Sequence, residues 1–253
     1  MELKIMSFNL RFQGEWDGIN QFIKRYPRVM EVINKESPDL VGFQEVTDCM
    51  KEILRENLNG YTLIGCGRDK DYRGESMLIG IKTKVFELIS VENEWYSDTP
   101  TVPGSRYEDS DQSGCPRMFT SVLVKHHEID TPIRFINTHL DHEGENARML
   151  EAKQLVKYLS SLNVPYALTG DFNATPDSTE IKYILSSLNG ATDCTSELGP
   201  TFHAFFKLPP KERVKIDYIF TGNTCKNAYV VEDIPVDGQC YSDHNAVCAI
   251  IEF

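Results

Sequence analysis

A set of polar side chains able to do chemistry recurs at the ends of apolar runs in this sequence. Asn9 follows Lys-Ile-Met-Ser-Phe, Glu45 follows Val-Gly-Phe-Gln, and His139 follows Phe-Ile-Asn-Thr. Asp171 and Asn173 follow Ala-Leu-Thr-Gly, Asp217 opens Asp-Tyr-Ile-Phe, and Asp243-His244 precede Asn-Ala-Val. Any one of them alone reads as a strand-end cap. Together, at the same end of several strands, they read as one site, because strand ends are where open sheets build ligand pockets. Carboxylates offer hard anionic oxygens to a divalent cation. Imidazoles and carboxylates also exchange protons near neutral pH.

Those residues need elements to carry them. Residues 3–10 alternate as a strand, and 27–36 read as a helix with Val29, Val32 and Ile33 on one face, ending at Ser37-Pro38. Residues 39–44 give a short apolar strand and 49–58 a second helix. Residues 61–65, 76–82 and 86–94 read as strands of a first sheet. Residues 96–114, dominated by Ser, Asp, Thr, Pro and Gly, read as a long loop of the kind that is either functional or disordered. Strands follow at 117–125 and 133–139, with His126-His127-Glu128 as a hairpin turn. Then come an amphipathic helix at 146–162, a buried strand at 166–170 and a helix at 179–188. Strands at 215–221, 228–231 and 246–253 close the chain. This order, in two similar halves, predicts an α/β (α+β) four-layer sandwich: two mixed β-sheets face to face with helices on the outer faces. No repeat or long linker interrupts it, so residues 1–253 are expected to form a single domain.

The 26 basic and 38 acidic residues leave a formal charge of −12. Affinity for a nucleic-acid backbone comes largely from neutralising phosphates, so such a chain should repel it unless basic residues gather on one face. The densest basic stretch, 207–215, holds four basic residues and one Glu and reads as a solvated loop. Seven cysteines stand singly without a C-x-x-C pair, which predicts reduced thiols and no disulfide framework. The chain enters a strand pattern at once, without a signal-peptide pattern, and no stretch approaches the roughly 18 apolar residues of a membrane span. A cytoplasmic location without a membrane span is expected.

The polar set lies within five motifs: Phe-Asn-Leu-Arg at 8–11, Phe-Gln-Glu-Val at 43–46, Thr-His-Leu-Asp-His at 138–142, Thr-Gly-Asp-Phe-Asn at 169–173 and Ser-Asp-His at 242–244. In that order the chain resembles the endonuclease/exonuclease/phosphatase superfamily, of deoxyribonuclease I-like fold. It is most similar there to small bacterial members with an Ala-Arg pair, here 147–148, and Thr-Phe-His, here 201–203. The resemblance runs from Asn9 to His244. It implies a Mg²⁺-dependent hydrolase, with Mn²⁺ as a substitute, in which a metal-activated water attacks phosphorus. Asn9, Glu45 and Asp243 are the implied metal ligands. Asp171 would accept a proton from the attacking water, and Asn173 would orient that water or the phosphate. His244 would be the general base or a cationic partner of the phosphate, its tautomer fixed by Asp217. His139 would donate to a nonbridging oxygen, with Glu75, in Arg-Gly-Glu-Ser-Met, orienting it. Arg117 and His203 join Asn173 as substrate-binding candidates, whereas His142 and Glu143 read as a turn. Each carboxylate–imidazole pair is expected at hydrogen-bond distance, raising the pKa of its histidine. Glu45, Asp171 and Asp243 are expected to repel one another without a metal.

Two rival readings stay in view. One is a catalytically inactive binding module of the same fold, which should lack at least one of Glu45, Asp171, Asn173, Asp217 or His244. All are present, which favours an enzyme. The other is a DNA endo- or exonuclease of the abasic-site type, opposed by the −12 charge and by the lack of a basic or aromatic insertion loop. A sphingomyelinase would face a membrane, and an inositol phosphatase would want a Lys and Arg cluster. What remains is a small phosphorylated molecule or a phosphodiester as substrate, with duplex nucleic acid not expected as a partner. Residues 96–114 and 201–210 are the candidate pocket walls. Binding to an abasic-site duplex at about 150 mM salt should therefore be weak or undetectable; submicromolar binding would overturn this reading.

Overall fold

Twelve strands and four α-helices form over residues 1–253 in the computed structural model, arranged as two six-stranded sheets. The first sheet has the spatial order β11 (Thr224–Val231), β12 (Ala246–Glu252), β1 (Glu2–Asn9), β2 (Leu40–Val46), β4 (Ser76–Lys82) and β3 (Tyr61–Ile64). The second runs β5 (Phe86–Trp95), β6 (Met118–His126), β7 (Ile133–His139), β8 (Tyr166–Asp171), β10 (Asp217–Thr221) and β9 (Thr192–Asp193). Helices α1 (Phe22–Glu36) and α2 (Asp48–Asn57) cover the first sheet, and α3 (Glu145–Ser160) and α4 (Thr179–Ser187) the second. The expected four-layer sandwich is the observed fold.

Three apolar cores follow from the period-two alternation of the central strands. Phe8, Val41 and Phe43 point outward onto Val29, Ile33, Met50 and Leu54 of the first helix pair. Ile136, Leu168 and Phe220 point the other way, onto Leu155, Ile181 and Ile184. The alternate residues Leu3, Ile5, Leu40, Phe135, Ala167 and Ile219 meet between the sheets. Along these inward-facing rows the character changes. Ser7, Gly42, Gln44, Asn137 and Thr169 continue them as a buried polar seam, and the rows of β1, β7 and β8 end on Asn9, His139 and Asp171. The seam is hydrogen-bonded across the sheets: Asn137 Nδ2 donates to the Phe43 and Leu78 carbonyls, and its Oδ1 accepts from Gln44 Nε2 at 2.6 Å.

Several boundaries differ from the sequence reading. Helix α1 begins at Phe22, before the expected 27–36, and carries Pro27 inside it. The Gln13 side chain accepts the Ile23 N–H at 3.0 Å, and the Gln21 carbonyl accepts from Lys24 and Arg25, so the first turn is closed despite the proline. Strand β5 pairs with β6 and lies at the edge of the second sheet, not in the first. Strand β9 and two 3₁₀ turns, Glu15–Asn20 and Pro210–Glu212, are too short to leave a periodic signal. Residues 96–114 form no strand or helix but are tied down from afar. The Asp111 carboxylate accepts the Asn146 and Ala147 N–H groups at 3.2 and 2.8 Å, capping α3, and the Ser113 amide and hydroxyl both donate to Asp141. All seven cysteines are free, and no helix is long and apolar enough to cross a membrane.

One core charge has a stability consequence. Glu151 on α3 is fully buried; one oxygen accepts the Asp141 N–H at 2.8 Å and the other has no partner. Burial pushes its carboxyl from 4.5 up to about 8, against the pull of the Asp141 N–H and Arg117. Because the folded pKa lies above the unfolded one, ionisation penalises the fold. That penalty is absent below about pH 4.5 and grows until pH passes about 8. Glu151→Gln should raise the melting temperature by a few degrees near pH 8, with the gain vanishing near pH 5. Thermal melts at both pH values check this, and an equal effect at the two would refute it.

Candidate active site

The parallel strands β1 and β2, and likewise β7 and β8, end at one shared edge, where the antiparallel β4, β6 and β10 begin. Register then sets the neighbours: His139 lies opposite Asp171, and Asp171 opposite Asp217, across three adjacent strands. Glu45 needs one further device. Its position in the alternation would send it away from the other sheet, but it adopts φ 61° where the β2–β4 register breaks between Phe43 and Val46. Such a bulge re-aims a side chain, and a non-glycine residue at positive φ is the strain that functional sites often hold.

A cavity of about 420 Å³ opens at this edge, lined by Glu45, Glu75, Arg117, His139, Asp171, Asn173, Asp243 and His244 from the expected set. Asn9 and Asp217 sit directly behind it. Asn9 Nδ2 donates to Glu45 and to Asp171, at 2.9 Å each. Asp217 Oδ2 lies 2.9 Å from His244 Nδ1. The carboxylate of Asp171 stands between the two imidazoles, 3.6 Å from His139 Nε2 and 3.7 Å from His244 Nε2. Asn173 Nδ2 reaches both the Leu140 carbonyl and His139 Nε2 at 3.0 Å. A nitrogen that donates to a carbonyl must also donate to the imidazole, so His139 Nε2 is the acceptor and its proton sits on Nδ1.

The electrostatics are unequal. Burial alone would lower His244, yet Asp217, Asp171 and Asp243 overcome it and raise its pKa to about 10. Burial, then Asp217, pushes Asp171 up to about 7. Asp243 is also raised by burial and by Glu45. Burial would raise Glu45 too, but His244, Asn9, the Phe12 N–H and Arg11 outweigh it and hold its carboxyl low. The carboxyls that rise here are Asp171, Asp243 and Glu75, burial being the largest cause in each, with Asp217 adding to Asp171 and Glu45 to the other two.

Four expectations need correction. Glu75 does not orient His139: Arg68 takes both of its oxygens at 2.9 Å, and His139 Nδ1 has no partner. Burial together with Arg117 and Arg68 accordingly drives the His139 pKa well down, not up. His203 does not line the cavity. Its ring is buried against Phe206, with Nδ1 accepting the Phe206 N–H, and burial lowers it to about 4. The Asn9 oxygen that was to hold a metal instead accepts the Arg11 N–H at 2.8 Å. Residues 96–114 supply none of the cavity lining; they border a separate groove against α3, whereas Phe202 does reach the cavity.

The cavity also holds residues that sequence reasoning passed over: Arg11, Phe12, Arg68, Cys115 and His142. Arg11 and His142 stood inside quoted motifs, which was the one available signal. Arg25 gave none. It is fully buried and donates to the carbonyls of Asn20, Tyr241, Leu10 and Arg11 at 2.6–2.7 Å, pinning the loops that carry Arg11 and Asp243.

The donor set fits a hard divalent cation. Glu45, Asp171 and His244 each bring one ligand atom within 4.8 Å of the others. Of these, His244 is held as an imidazolium, whose Nε2 has no lone pair to give, which leaves the carboxylates. Asp171 and Asp243 are raised first by burial and then by the neighbouring carboxylates Asp217 and Glu45, and oxygen-only donors suit Mg²⁺ or Mn²⁺ better than softer metals.

The sequence matches the Endonuclease/Exonuclease/phosphatase family over residues 6–244. No curated protein matches it. Among solved structures, it is similar to an endonuclease/exonuclease/phosphatase from Bacteroides vulgatus, with 28% identity and a TM-score of 0.93, covering 100% of this chain and 99% of that one. It is also similar to a mannosyl-6-phosphatase of Bacteroides thetaiotaomicron, with 26% identity and a TM-score of 0.89 over 99% of this chain and 100% of that one. D. rerio TDP2, solved with a single-strand DNA product, shares the fold at 16% identity, with a TM-score of 0.77 over 100% of this chain and 99% of that one. Since the match spans nearly the whole chain and the fold is shared throughout, this protein belongs to the endonuclease/exonuclease/phosphatase family and is a hydrolase of phosphoester bonds.

Proposed function

We propose that the protein is a Mg²⁺-dependent hydrolase of a small phosphorylated molecule, with water as the nucleophile. The observation that carries this is Asp171, at the cavity floor between two imidazoles and joined through Asn9 to Glu45. Glu45 and Asp243 would hold the cation, which when bound supplies charge neutralisation at the phosphoryl oxygens and acidifies water. The chain's own groups do the rest. His244, kept cationic by Asp217, can donate from Nε2 to a phosphoryl oxygen. Asp171 is placed to take the proton of an attacking water, and Asn173 fixes the His139 ring beside it. The −12 charge and the cavity of about 420 Å³ support a small substrate over a nucleic acid. Similarity to a mannosyl-6-phosphatase makes a phosphorylated sugar the first substrate to test.

EDTA should abolish hydrolysis and Mg²⁺ should restore it, while circular dichroism stays unchanged because the fold's cores are independent of the site. Full turnover in exhaustively chelated buffer would sink the proposal. The Asp217–His244 pair should behave as one unit. Asp217→Asn should cost about 10²–10⁴-fold in kcat, approaching His244→Ala, with the double variant little worse than either. Fully multiplicative losses in that double-mutant cycle would show that the two act separately.

A further inference from the structure

We propose that Thr201, in the Thr-Phe-His segment at 201–203, is a positioning residue that sets the Asp217–His244 contact and so acts on hydrolysis without touching the substrate. This rests on the phosphoester-hydrolase reading of the same site. The contact needs such a device because it spans the sandwich. Asp217 opens β10 of the second sheet, His244 precedes β12 of the first, and no ladder joins those strands. Nor is the Asp217 carboxylate held from another side. Its Oδ2 meets His244 Nδ1 at 2.9 Å, and its buried Oδ1 has no partner. Where it stands relative to His244 therefore depends on what ties the start of β10 to the first sheet.

Segment 201–203 is that tie. Thr201 is fully buried, and its Oγ1 accepts both the Ile216 and the Asp217 N–H, at 3.1 and 3.2 Å. Its own N–H donates to the Val214 carbonyl at 2.9 Å. On the other flank its carbonyl accepts the Asn245 N–H at 2.7 Å, and the His203 N–H donates to the Asp243 carbonyl at 3.0 Å. Phe202, between them, bridges Val214 on one side and His244 on the other, its ring centroid 4.9 Å from that of the imidazole. The turn that follows is strained. Ala204, Phe205 and Phe206 hold φ of 51°, 56° and 58°, three left-handed residues in a row without a glycine. L-residues adopt this conformation reluctantly, and it persists where surrounding contacts impose it, often at functional sites. Here the Ala204 N–H joins that of His203 on the Asp243 carbonyl at 3.1 Å, and His203 Nδ1 accepts the Phe206 N–H at 3.1 Å. The turn thereby doubles the hold on Asp243-His244, which gives His203 a place in the site's support although it stands outside the cavity.

The test is a double-mutant cycle on the Mg²⁺-loaded enzyme with p-nitrophenyl phosphate and bis-p-nitrophenyl phosphate. It is joined to proton NMR of the His244 Nδ1–H, whose far-downfield signal should be absent from Asp217→Asn. Thr201→Val leaves two buried N–H groups unmet; Thr201→Cys, whose sulfur accepts only weakly, serves equally should valine not fold. Either should lower kcat by about 10–100-fold, change KM by less than about threefold, and weaken the NMR signal. Thr201→Ser, which keeps the hydroxyl, should recover most of the rate and the signal. In the Asp217→Asn background the same substitutions should cost less than about threefold in kcat, although they lower the melting temperature alike in both backgrounds. A role in folding alone would cost activity equally in the two. Equal losses, or an unchanged NMR signal in the valine and cysteine variants, overturn the positioning role and leave the hydrolase reading intact. A wild type that hydrolyses neither substrate, or an Asp217→Asn variant of full activity, overturns that reading and this inference with it.

Discussion

The Asn9 side chain gives its two amide hydrogens to carboxylates on different sheets, Glu45 on β2 and Asp171 on β8, at 2.9 Å each. Hydrogen bonds to charged groups contribute about 1.5–3 kcal/mol apiece, so this one amide fastens the active edge of the sandwich. Behind it, Asn137 makes the reverse connection from β7 to the carbonyls of β2 and β4. The seam demands close approach. A Cβ added at Gly42 would lie 2.2 Å from Thr169 Oγ1 and 2.5 Å from Asn137 Oδ1, so β2 can sit this near the second sheet only with glycine there. Residues from six separate segments meet because these contacts fix how the two sheet edges align.

The same edge concentrates charge that the fold must carry. Glu45 is held ionised by the Phe12 N–H, Asn9 and the cations around it, whereas burial and neighbouring anions make Asp171 and Asp243 costly to ionise. Countercharge is supplied from outside the strands. Arg11 approaches Asp243 at 3.8 Å while paired with Asp17, and buried Arg25 stiffens that loop through backbone carbonyls alone. Sites that hold destabilising charge trade stability for function, and here the cost falls on Asp171, Asp243 and Glu75, each raised first by burial. Arg68, paired with Glu75, and Arg117 line the same cavity beside a neutral His139.

What the sequence determined by itself is the layering and the strand-end part of the site. Period-two alternation marked the strands, and because β1, β7 and β8 keep that alternation to their last residue, Asn9, His139 and Asp171 could be placed at one end without coordinates. The Asp217–His244 contact was implied by the family resemblance, and it forms across the sandwich, because Asp217 opens β10 of the second sheet and His244 precedes β12 of the first, so the two strands are not neighbours. Tertiary structure decided the rest. The bulge that turns Glu45 inward depends on how β2 pairs with β4, and Glu75 is captured by Arg68 from seven residues earlier because the turn between them brings their backbones together. His203 is removed from the cavity by stacking on Phe206, and His142 enters it beside Arg117. Pairings of this kind depend on loop geometry and long-range packing, where no periodic pattern constrains the side chain. Strand ends inherit their direction from the sheet, but loop residues acquire theirs only when the whole chain has closed around them.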